Sequence, residues 1–171
     1  MNGKDFNPLL SLFYTYLSLE KEILKRVSKI SNPFCFKCQT KCCEEKICRE
    51  SVESPFLSSL IKFQNIQYDQ KNGWMSPQGC RLDYGKPLVC YEFFCEQILI
   101  NKNFQASNIQ QTIKEFILIG NRAYGNTHLI CVDNLSSISP KKIFKISYQI
   151  GKLMEKLANE TVAPDRKYRP A

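Results

Sequence analysis

Asn7-Pro8-Leu9-Leu10-Ser11-Leu12-Phe13-Tyr14-Thr15-Tyr16-Leu17-Ser18-Leu19-Glu20, running on to Ile30, is the stretch on which the fold class turns. Its apolar positions Leu9, Leu10, Phe13, Tyr16, Leu17, Ile23, Leu24 and Val27 recur at helical spacing, which predicts a helix over residues 7–30 with one broad face to bury. Asn7 is a suitable cap and Pro8 suits a first turn. Ser31-Asn32-Pro33 reads as the stop. Working outward, Pro55 to Phe63 predicts a short helix through Phe56, Leu57, Leu60, Ile61 and Phe63. Asn72-Gly73 predicts a turn. Ser107 or Asn108 can cap a helix to about Arg122, with Ile109, Ile113, Phe116, Ile117 and Gly120 on one side. Ser139-Pro140 opens a further helix to about Asn159, striped by Ile143, Ile146 or Ser147, Ile150, Leu153, Met154 and Leu157. Leu129 to Val132 reads as a short strand or a buried stretch. The expectation is a mainly α chain: a small helical domain with an irregular cysteine-rich metal-binding loop region.

The 171 residues predict a single domain over residues 1–171, with a cysteine core at about 33–96, flanking helices at 7–30 and 105–159, and a loose tail at 160–171. Hydrophobic residues make up 43%, enough for a packed core. No apolar run approaches a membrane span. Tyr14, Thr15, Tyr16 and Ser18 interrupt the apolar N-terminal stretch. Lys4 is the only early basic residue, so an amphipathic helix is read in place of a signal peptide. A cytoplasmic location follows as an expectation, and in a reducing compartment paired thiols serve as ligands or redox groups more often than as cystines.

Seven of the nine cysteines lie in two blocks: Cys35-Phe36-Lys37-Cys38-Gln39-Thr40-Lys41-Cys42-Cys43, and Gly79-Cys80 with Lys86-Pro87-Leu88-Val89-Cys90-Tyr91-Glu92-Phe93-Phe94-Cys95. Exposed thiols oxidise and scramble, so such a density predicts that something holds them. The Cys35-x-x-Cys38 spacing lets two sulfurs face one ion while backbone N–H groups turn towards them. The adjacent Cys42 and Cys43 point apart on an extended chain, so they serve two sites, or one ligates while the other packs. The candidate ligands are Cys35, Cys38, Cys42, Cys43, Cys80, Cys90 and Cys95, with Cys48 available as an eighth. Soft thiolates select zinc or iron, the latter as a single ion or an iron–sulfur cluster. Trp74, Tyr84, Tyr91, Phe93 and Phe94 crowd the second block as a hydrophobic cap. Cys131, between Ile130 and Val132, reads as a buried core thiol.

Net charge is +8, from 24 Lys and Arg against 16 Asp and Glu. Lys37, Lys41, Lys46, Arg81 and Lys86 lie within or beside the blocks, where they can offset the charge of about −2 on a four-thiolate zinc site. Thiolate balancing and solvated surface are favoured over a nucleic-acid partner. Glu44-Glu45 reads as a solvated face balancing nearby lysines, and His128, the single histidine, as structural. No phosphate-cradling glycine loop or dinucleotide fingerprint is present, and no side chain is read as catalytic.

These blocks resemble the zinc- or iron-chelating domain of YkgJ-type cysteine-cluster proteins. That family pairs a Cys-x-x-Cys group ending in Cys-Cys with a Gly-Cys and an Arg-Pro-x-x-Cys-Arg-x-Phe-x-Cys motif. The resemblance covers about residues 33–96. It departs in three places: three residues separate Cys38 from Cys42, Lys86 and Tyr91 replace the two arginines, and no cysteine lies between Cys80 and Cys90. The resemblance implies metal binding as the function. An iron–sulfur redox or accessory protein of a protein-modifying system is the alternative, since some relatives with such clusters are linked to protein lysine methylation, as in flagellin N-methylases. A zinc-stapled interaction module with a protein partner is a third class.

Overall fold

A computed structural model describes residues 7–35, 44–77, 79–124 and 128–162, with the side chains of 102–108, 122, 161 and 162 left out. The elements in chain order are α1 (Pro8–Cys35), α2 (Glu45–Glu53), α3 (Pro55–Ile61), β1 (Met75–Ser76), β2 (Gly79–Cys80), α4 (Val89–Glu92), α5 (Glu96–Ile117), α6 (Asn121–Tyr124) and α7 (Pro140–Val162), with short 3₁₀ turns at Lys62–Gln64, Leu129–Cys131 and Leu135–Ser137. The mainly helical expectation holds. The two strands form a small antiparallel hairpin pairing Met75 with Cys80 and Ser76 with Gly79.

The core is assembled from α1, α3, α5 and α7. On α1 the buried apolar positions are Leu12, Tyr16, Leu19, Ile23, Val27 and Ile30, a repeat of three and four residues that keeps one face inward. Phe56, Leu57 and Leu60 of α3, Ile109, Ile113 and Phe116 of α5, and Ile143, Ile146, Ile150, Leu153 and Leu157 of α7 meet them. Edge-to-face rings lock the centre: Tyr16 against Phe56 at 4.9 Å and Tyr91 against Phe116 at 5.3 Å. Arg26 on α1 reaches the Leu157 carbonyl and the Glu160 carboxylate at the end of α7, placing a cation where the helix presents unsatisfied carbonyls.

Asn7 caps α1 as expected, its Oδ1 accepting from the Leu9 and Leu10 amides at 3.0 and 3.2 Å. Four features differ from the sequence reading. α1 does not stop at Ser31-Asn32-Pro33 but runs to Cys35, with Pro33 inside it. A proline in a last turn forfeits one backbone bond, and Phe34 gains packing against the core by continuing. α5 begins at Glu96, about a dozen residues before the expected cap. Leu129–Cys131 form a 3₁₀ turn, followed by the extended Val132, and no strand. Cys48, expected in a loop, lies on α2.

A second, smaller cluster holds Cys48, Ile61, Trp74 and Leu82. The Asn72-Gly73 turn closes it, as predicted, and Gly73 takes φ +59°. A β-carbon there would stand 2.7 Å from Cys48 Cβ. Gly73→Ala is therefore expected to cost about 2 kcal/mol, from left-handed backbone plus overpacking, read as a lowered urea midpoint with unchanged m-value.

Candidate metal centre

The Lys86–Cys90 stretch folds as a turn into α4. The Cys90 amide donates to the Pro87 carbonyl and the Tyr91 amide to the Leu88 carbonyl, both at 3.0 Å. Proline suits this place because no partner is needed for its missing N–H. Cys90 is half-buried on α4, while Cys95 is half-buried at the cap of α5 in extended backbone. Cys80 is exposed on β2 and Cys35 is exposed on the last residue of α1. Cys38, Cys42 and Cys43, with Lys37 and Lys41, lie outside the described residues. Among the described residues no three His, Cys, Asp or Glu side chains converge to hold a metal. The four described thiols of the two blocks thus stand at the ends of separate elements, none of them fully buried.

Cys48 is placed differently. It is buried on α2 among Ile61, Trp74 and Leu82. The Trp74 indole donates to Ser51 Oγ at 2.7 Å, and Ser51 Oγ donates to the Cys48 carbonyl at 2.7 Å. Trp74 therefore covers Cys48, while Tyr91 and Phe94 join the main core and Phe93 faces outward. Cys131 reverses the sequence reading, which buried it. In a 3₁₀ turn, residues three apart share a side, so Leu129 and Val132 point inward and Cys131 is turned out.

Two of the cations beside the blocks are already engaged. Arg81 donates to the carbonyls of Gln67 and Gly73, and Lys46 pairs with Glu44 at 2.6 Å. Glu45 accepts from Tyr68 and Arg49, whose hydrogen bonds hold its carboxylate below the ordinary range. The expectation that Glu44-Glu45 balances nearby cations fits this arrangement. His128 sits before the 3₁₀ turn, where its carbonyl accepts from the Cys131 amide at 3.0 Å.

One residue that sequence reasoning missed ties the second block to the core. Glu20 lies at the middle of α1 and is fully buried. Its Oε1 accepts the Lys86 amide at 3.0 Å and the Tyr91 hydroxyl. Gly85, at φ +73°, lets the chain turn here; a β-carbon would meet Ile61 Cγ1 at 2.8 Å. Burial pushes the Glu20 carboxyl above the ordinary range, outweighing the Tyr91, Gly85 and Lys86 hydrogen bonds that pull it down. Burial, reinforced by Glu20, likewise drives the Tyr16 and Tyr91 hydroxyls well above theirs. Glu20 Oε2 and Tyr16 OH, both buried, have no hydrogen-bond partner among the described residues. An acidic residue between Leu19 and Lys21 looks like ordinary helix surface; its only signal was that it falls a turn beyond Tyr16, on the buried face.

No family model, curated protein or solved structure matches this chain. No helix among the described residues is long and apolar enough to cross a membrane.

Proposed function

We propose that the protein binds zinc or iron through the thiolates of its two cysteine blocks, as YkgJ-type cysteine-cluster proteins do. The observation that carries this reading is the spacing Cys35-x-x-Cys38 with Cys42-Cys43, joined to Gly79-Cys80, Cys90 and Cys95. The donor chemistry fits: a set of soft sulfurs suits both metals. Position supports it too, because Cys35 and Cys80 are exposed and Cys90 and Cys95 are only half-buried, so an ion can reach them. Bound as thiolates, they release protons to solvent as the metal enters. Glu20 acts one step back, fixing the Lys86–Tyr91 turn and with it the position of Cys90 on α4. Cys48 packs against Gly73 and Trp74, and we read it as a packing thiol beside the seven block cysteines. The metal serves as a structural centre, or as a redox centre if it is an iron–sulfur cluster.

Elemental analysis and a visible spectrum of protein purified without oxygen test this. Stoichiometric zinc with no colour supports a structural ion; iron with a brown absorption bleached on reduction supports a cluster. Cys90→Ser is expected to lower the metal content, whereas Cys48→Ala keeps it and costs about 1–2 kcal/mol of packing. Metal-free protein from a metal-replete host would overturn the proposal.

A further inference from the structure

The outer face of α7 carries a row that its core-facing stripe does not explain. Lys141, Lys145, Tyr148 and Lys152 follow one another at intervals of three and four residues, and Phe144 lies three after Lys141 and four before Tyr148, so all five share one side of the helix. Phe144 is 74% exposed and Tyr148 60% exposed, while the opposite side of the same helix is sealed in the core. Beside Tyr148 a groove of about 390 Å³ opens between the end of α5 and α7, lined by the apolar Leu118, Ile119 and Leu153 and the polar Glu115, Asn121 and Gln149. Leu118 is itself 51% exposed. Contiguous exposed apolar surface rimmed by charge marks an interaction site more often than chance scatter does.

The charge on this face is arranged against the helix that bears it. α7 has no acidic residue in its first turn, although Lys141, Lys142 and Lys145 lie in its first two turns. Cations at a helix N-terminus oppose the macrodipole. Lys142 rests over the Tyr124 ring at 4.4 Å. Among the described residues no carboxylate pairs with Lys141 or Lys145, whereas further along Lys152 pairs with Glu155 and Lys156 with Glu115. The face is thus apolar at its centre, uncompensated and basic at one end, and neutralised at the other.

We infer that this face of α7 docks an acidic peptide segment of a protein partner, an apolar side chain entering the groove beside Tyr148 and carboxylates lying over Lys141 and Lys145. The complementarity is one of charge and shape: carboxylates at the helix start satisfy both the lysines and the dipole, and the groove is of side-chain dimensions. A phosphate backbone would carry its charge on past Glu155 further along the helix, whereas a short peptide keeps its carboxylates over Lys141 and Lys145. The chain's own residues 163–171 do not complement the lysines, since they hold Arg166, Lys167 and Arg169 against Asp165. This inference is independent of the metal centre.

A displayed random-peptide library selected on the full chain, with counter-selection on Phe144→Ala/Tyr148→Ala, tests it. Enriched peptides are expected to combine Asp or Glu with Leu, Phe or Trp. In fluorescence polarisation they should bind roughly tenfold more weakly to that variant and to Lys141→Glu/Lys145→Glu. The charge reversal relieves the dipole conflict, so it should raise the melting temperature while lowering binding, which separates docking from misfolding. No enrichment over the alanine variant, or enriched peptides lacking acidic residues, would overturn the inference. Tighter binding of a single-stranded RNA oligomer or of phosphatidylserine vesicles through the same residues would overturn it as well, assigning the face to phosphate.

Discussion

Stripping the metal from loaded protein with a strong chelator is expected to release the cysteine-rich segment and lower the melting temperature steeply. Thiolate zinc sites contribute on the order of 10 kcal/mol of apparent folding free energy, more than any packing change in a chain of this size. The loss should be local. α1, α5 and α7 meet through Tyr16, Ile113, Phe116, Ile146 and Ile150, none of which depends on a sulfur, so most far-ultraviolet helicity should survive. Protection of the Gly79–Cys95 amides against hydrogen exchange should fall first. Cys90→Ser should reproduce the shift without chelator. Identical melting curves for loaded and stripped protein would remove the structural role of the metal.

Glu20→Ala is expected to destabilise the protein by about 3–4 kcal/mol. It leaves the Tyr91 hydroxyl and the Lys86 amide without their acceptor and opens a void beneath α4. Glu20→Gln keeps an acceptor in place and isolates the charge. The sign of its pH dependence follows from the direction of the shift. The Glu20 carboxyl holds its proton to higher pH when folded than when unfolded. Below the unfolded value both states are protonated and burial carries no ionic cost. As pH rises through the window between the two values, the unfolded chain loses its proton first and the folded state loses stability. Tyr16, Tyr91 and Lys86 are the titratable residues facing the carboxyl; both hydroxyls stay protonated across this range, and Lys86 pulls the carboxyl down without reversing the shift. Urea midpoints of the wild type should therefore fall from pH 4 towards pH 8 relative to Glu20→Gln. A wild type that gains stability over Glu20→Gln in that interval would contradict the buried, desolvated carboxyl. Because Glu20 fixes the turn that presents Cys90, Glu20→Ala should also weaken metal retention by about tenfold or more.

Periodicity identified the helices with an amphipathic stripe. In the row from Ile143 to Leu157 all the positions read from spacing are buried except the half-buried Met154, as are Ile109, Ile113 and Phe116, and Phe56, Leu57, Leu60 and Ile61, whereas Phe63 is exposed. Where the stripe gave out, the reading failed. Residues 96–108 lack a clear apolar face, yet α5 starts at Glu96 after the extended Cys95. Pro33 signalled a stop that packing of Phe34 overrode. Glu45–Glu53 was hidden inside a run read for its cysteines, although Cys48 and Ser51, three apart, form the buried side of α2.

The two blocks of sulfur and their spacing are properties of the chain itself, because residue type and local reach are fixed by covalent order. Which thiol is covered and which is open is not. Cys48 looked like a spare ligand and is packed under Trp74, whereas Cys131 looked like core and faces outward. Glu20 shows the reason most plainly. Its partners lie 66 and 71 residues further along the chain, and until α4 folds back onto α1 nothing distinguishes that carboxyl from any other on a helix surface. Burial of a polar group is decided by what arrives from elsewhere to bond it, and that arrival exists only in the folded molecule.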